Sequence, residues 1–166
     1  MQLNGLIHTF PKELKFLIGT FIIVLSIGFF TGLLFVSETS SANPNGIEEQ
    51  YLGNESDEHA EVMKFKKSDQ EMLTLVHNHV LSMSIIFFLV GLILSITQLN
   101  KKLKLFLMLE PFVSVILTFG GLYLLWKGMT WMTYIVMFSG ALMTLTYTLS
   151  VLIILIQLFQ NKTAKA

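Results

Sequence analysis

Few residues in this sequence are equipped for chemistry. The 166 residues include no cysteine and no arginine, and the histidines are His8, His59, His77 and His79. His77 and His79 flank Asn78 just before an apolar run that opens at Val80. Neutral imidazole suits zinc, copper or heme iron. A helix turns about 100° per residue, so the two rings leave it on nearly opposite sides and cannot close on one ion. His77 and His79 are therefore candidate cofactor ligands for different neighbours. A heme held by one of them would draw its second axial ligand from His59, Met129, Met132 or another subunit. A divalent metal ion would combine His77 or His79 with His59 and carboxylates of an acidic loop. The plainer role is hydrogen bonding of boundary histidines to headgroups, water or an adjacent helix.

Glu110 is the other residue of this kind. It lies about five residues inside an apolar block, roughly 8 Å from the boundary by helical rise. A charge at that depth costs several kcal/mol unless it is protonated or paired, and such residues mark pathways or partners. Gln98, Lys101 and Lys104 are its expected partners. Pro111 removes the next amide donor and bends the helix. A proton path from Glu110 to His77 would cover about 20 Å, with Ser84, Thr118, Thr144 and Tyr147 as the only intermediates.

The elements that position these residues follow from composition. Hydrophobic residues make up 53% of the chain and charged ones 13%, whereas soluble domains carry about 25% charge. Apolar residues fall into four blocks, at 16–36, 80–99, 105–126 and 131–159. Each is about as long as a helix that crosses a hydrocarbon core of about 30 Å. The expected fold is an all-α membrane protein, an antiparallel four-helix transmembrane bundle forming one domain over 1–166. Its expected spans are 16–36, 73–99, 105–126 and 131–159, with a polar, irregular loop over 37–68. Ser68 and Glu71 stand in capping-box spacing, which starts the second helix near Asp69. The amphipathic lead, 1–15, is expected along the membrane surface before Pro11 redirects the chain. Signal-peptide cleavage near Ser40-Ser41-Ala42 competes with the first span, but the apolar run is too long for it.

Lys12, Lys15, Lys101, Lys102, Lys104, Lys162 and Lys165 gather at one end, and Lys64, Lys66, Lys67 and Lys127 at the other. That imbalance places both termini in the cytoplasm and the acidic loop and His77-Asn78-His79 outside. Trp126 and Trp131 flank the outer hairpin, at the headgroup level that indole rings prefer. Membrane helices pack through small and polar stripes. The expected inward stripes are His77, Ser84, Gly91 and Gln98; Glu110, Ser114, Thr118 and Gly121; Ser139, Thr146 and Ser150; and the Gly28/Gly32 pair.

The run Leu75-Val76-His77-Asn78-His79-Val80-Leu81-Ser82-Met83-Ser84, with Glu110-Pro111-Phe112, Phe119-Gly120-Gly121 and Ser139-Gly140, resembles uncharacterised small four-helix bacterial inner-membrane proteins. The similarity extends over most of residues 70–150. It implies a bacterial inner (cytoplasmic) membrane and brings no activity with it.

Lack of arginine disfavours nucleic-acid binding. Without a Gly-rich phosphate loop, a nucleophile elbow or a His-Glu-x-x-His motif, catalysis by this chain alone is not expected. Three functions remain. The first is a small integral membrane subunit that binds heme or a metal ion at its outer face through His77 and His79. The second is a cofactor-free accessory or assembly subunit of a membrane complex. The third is a proton-linked transporter using Glu110, for which four short spans without inverted repeats are a poor match. The expected partners are the lipid bilayer together with other membrane subunits or a second copy of the chain.

Overall fold

A computed structural model describes residues 4–41, 43–55, 60 and 62–160, and there are no strands among them. A 3-10 turn, Leu6–Thr9, precedes α1 (Lys12–Ser40), α2 (Pro44–Leu52), α3 (Asp69–Ser95) and α4 (Lys101–Val115). A π-helical turn, Ile116–Gly120, continues α4 into α5 (Gly121–Trp126), and α6 (Met132–Phe159) follows. Four rods, Lys12–Ser40, Asp69–Ser95, Lys101–Trp126 and Met132–Phe159, are long and apolar enough to cross a membrane. The chain is an all-α membrane protein, a bundle of four transmembrane helices.

Local chemistry sets the element ends. The Ser68 hydroxyl accepts from the Glu71 amide at 3.3 Å, and the Glu71 carboxylate accepts from the Ser68 amide at 2.7 Å. This reciprocal cap starts α3 at Asp69. Asn100 caps α4 by accepting from the Lys102 amide at 2.9 Å. Gly128, with φ of 103°, turns the chain between α5 and α6 in a conformation that side chains with a Cβ rarely adopt. Within α4, Pro111 cannot donate to the carbonyl one turn back, and the widened π turn follows it.

The centre of the bundle is the α4–α6 pair. α3 packs against both, while α1 packs against α6 and α2. Phe87, Leu94, Val115, Leu122, Met143 and Ile154 are among the buried side chains between them. Tyr147 of α6 stacks on Phe29 of α1 at 4.0 Å between ring centres, and its hydroxyl lies 3.2 Å from that of Ser26.

Three expectations need correction. The loop over 37–68 is not irregular throughout: Asn43 accepts from the Gly46 amide at 2.8 Å and starts α2, whose Ile47 is buried. The N-terminal lead turns its apolar Ile7 to the bundle rather than to lipid. Ile7 is fully buried, and its amide donates to the Ile96 carbonyl at 3.2 Å, because α3 ends at Ser95 and leaves carbonyl groups that need donors. Gly28 and Gly32 do not face the bundle; a Cβ at either would meet no atom within 4 Å.

Candidate functional site

His77, Asn78 and His79 are all exposed near the start of α3. The inward reading of His77 is therefore wrong, although Gly91, on the same stripe, is buried. The bundle-facing side of α3 is set instead by Met72, Phe87, Val90 and Leu94. His79 is the better organised of the two rings. Its Nδ1 lies 2.8 Å from the Leu75 carbonyl, and its ring stacks on Phe119 of the π turn at 4.7 Å between centres. Since a carbonyl only accepts, this bond places hydrogen on Nδ1 and leaves Nε2 as the nitrogen for another partner. Among the described residues, no group of three or more His, Cys, Asp or Glu side chains could hold a metal ion. His59 lies outside the described residues. His79 by itself thus fits the role of a single ligand oriented by a backbone carbonyl, and His77 does not join it.

Glu110 is 8% exposed and faces α6. Ser114, one turn along α4, donates to one carboxylate oxygen, and Thr146 of α6 donates to the other. The expected partners Gln98, Lys101 and Lys104 are not those it meets. Lys104 instead donates to the carbonyl groups of Ser95 and Thr97, at 2.9 and 2.5 Å, and to Asn4 at 2.8 Å. That arrangement caps the C-terminal end of α3 with a positive charge, where the helix dipole favours one. Gln98 exchanges two hydrogen bonds with the Gln157 side chain, at 2.6 and 3.0 Å.

The Glu110 contacts belong to a line of hydroxyl groups between α4 and α6. Thr118, brought inward at the π turn, and Ser139 lie 2.7 Å apart. Nearer the end that carries α2, the buried Thr133 donates to the Glu48 carboxylate at 3.0 Å. In the other direction, the Ser150 hydroxyl donates to the Thr146 carbonyl at 2.7 Å. The inward stripes expected from the sequence hold all of these except Thr133 and Glu48, whose contact needed the unforeseen α2.

The α2 end is closed by a second set of contacts. Trp126 donates its indole hydrogen to the Lys67 carbonyl at 2.7 Å. Lys127 and Lys66 lie over its ring, at 4.4 and 5.4 Å from the centre. Gly53, with φ of 84°, allows the loop to return, since a Cβ there would fall 2.7 Å from the Lys66 amide. Burial pushes the Tyr51 hydroxyl above its ordinary pKa of 10.0.

A family model described as a transmembrane helical domain matches residues 41–165, which take in α2 through α6 and leave α1 ahead of the match. No curated protein and no solved structure matches the chain.

Proposed function

The chain belongs to this family of transmembrane helical domains, and from that premise we propose that it is a cofactor-free accessory or assembly subunit of a membrane complex. The observation that carries this reading is the open glycine line of α1. Gly28 and Gly32 have the small-x-x-x-small spacing by which membrane helices approach closely, and neither meets another part of the chain. A helix of a partner subunit fits that line. His77 and Asn78, exposed near the start of α3, offer polar contacts to the same kind of partner. We place the protein in a bacterial inner membrane with the lysine-rich end, and so both termini, in the cytoplasm. Gly28→Leu and Gly32→Leu should abolish co-purification of the partner in mild detergent while the purified chain keeps its helicity. Unchanged co-purification by both variants would refute the reading.

Heme or metal binding through His77 and His79 is the second reading, and the oriented His79 ring favours it. It requires the remaining ligands from another chain or from the loop around His59. An optical spectrum with a Soret band, or metal found by elemental analysis and lost in His79→Ala, would establish it. Colourless, metal-free protein from metal-replete cells would remove it.

A further inference from the structure

Glu110 puts a carboxyl group inside a membrane-spanning helix with both oxygens turned to hydroxyl groups, Ser114 on one side and Thr146 on the other. The ion pairs among the described residues are Lys64–Glu49 and Lys127–Asp69, so neither involves Glu110. Lys104, the lysine that sequence spacing offers, is committed to Ser95, Thr97 and Asn4. The cluster is therefore built from hard oxygen atoms around one carboxyl group. Leaving a carboxylate uncompensated in a low-dielectric interior is costly.

We infer that Glu110, Ser114 and Thr146 bind a monovalent alkali cation, sodium, between α4 and α6. Oxygen-only donors select hard cations over the softer metals that imidazole and thiolate prefer. One carboxylate balances a single positive charge and leaves the site neutral, whereas a divalent ion would leave a net charge buried among apolar side chains. The Thr146 hydroxyl can change role without moving the backbone. Thr146 has the Leu142 and Met143 carbonyl groups at 3.0 and 3.1 Å as alternative acceptors. Directing its hydrogen there frees its lone pairs for the cation. Pro111, next to Glu110, has no amide to donate to the Leu107 carbonyl one turn back. Ser150 extends the polar line from Thr146 toward Gln157 and the lysine-rich end.

The test uses the full chain in detergent at fixed pH, comparing sodium chloride with choline chloride at equal ionic strength. Sodium should raise the unfolding temperature saturably, because a ligand that binds only the folded state stabilises it, and radioactive sodium should be retained at one ion per chain. Thr146→Val and Ser114→Ala should each raise the half-saturating sodium concentration at least about tenfold, equivalent to 1.4 kcal/mol. Glu110→Gln should abolish the response. Should Glu110→Gln fail to fold, sodium retention by the native chain and its weakening in Thr146→Val decide the matter. Equal unfolding temperatures in the two salts with no retained sodium would overturn the inference and leave a proton as the occupant. A sodium response that persists in folded Glu110→Gln would overturn it as well.

Discussion

Thr146 on α6 and Glu110 on α4, 36 residues apart in the chain, meet through a hydroxyl-to-carboxylate hydrogen bond inside the bundle. Ser114 donates to the second oxygen from Glu110's own helix. The contact between helices thus rests on Thr146, and the local one on Ser114. In a membrane, where burying apolar surface contributes little to helix association, a polar contact of this kind fixes which faces meet.

Thr146→Val keeps the shape of the side chain and removes the donor. It should cost about 2 kcal/mol, the range for a hydrogen bond to a charged group, in reversible unfolding in detergent. Thr146→Ser should recover most of that. A loss below about 0.5 kcal/mol for Thr146→Val, within the scatter of neutral substitutions, would show that this bond does not secure the α4–α6 contact.

Glycines on different faces should respond in opposite ways. A Cβ at Gly121 would lie 2.9 Å from the Val136 side chain, so Gly121→Ala should destabilise the chain by about 1–3 kcal/mol through overpacking. Gly28→Ala meets open space and should change the stability of the isolated chain by less than about 0.5 kcal/mol, or raise it slightly. Thermal unfolding of the two variants side by side checks the contrast, and equal losses would contradict the packing described.

Trp126→Phe retains a ring beneath Lys66 and Lys127 but loses the bond to the Lys67 carbonyl. The expected loss is about 1 kcal/mol. Its signature is faster trypsin cleavage after Lys64, Lys66 or Lys67, while α6 stays protected. Unaltered cleavage would place the anchoring of this segment elsewhere.

Tyr51 supplies a pH dependence outside the spans. Burial disfavours its charged form, so its folded pKa stands above the ordinary 10.0. The sign follows from linkage: the contribution is complete below the unfolded pKa and is lost as pH rises through the folded one. Packing of α2 against the bundle should therefore weaken above about pH 10, the ordinary tyrosine value. Protease sensitivity of the loop reports it, and Tyr51→Phe should flatten the dependence.

Much of the bundle was legible because membrane insertion leaves coarse marks. The apolar blocks revealed the membrane class and the four helices, and Ser68 with Glu71 revealed the start of α3. The inward face of the rod Lys101–Trp126, from Glu110 through Ser114 and Thr118 to Gly121, was legible from spacing, since all four are buried. His77 was misread because a seven-residue stripe through Ser84 and Gly91 treats α3 as packed along its whole length. α2 was missed because its nine residues, PNGIEEQYL, carry little apolar pattern and are held by Ile47, Tyr51 and the Glu48–Thr133 contact.

That this protein crosses a membrane as helices, and which few ionisable groups go with them, is written in the chain segment by segment, because insertion depends on the length and polarity of each segment taken singly. Tertiary structure decided that Glu110 meets Thr146 rather than a lysine, that His79 lies on Phe119, and that Gly28 and Gly32 look outward. Those outcomes depend on how each helix is rotated against its neighbours. Between inserted helices that rotation is set by close packing and single hydrogen bonds, neither of which the pattern of one segment contains.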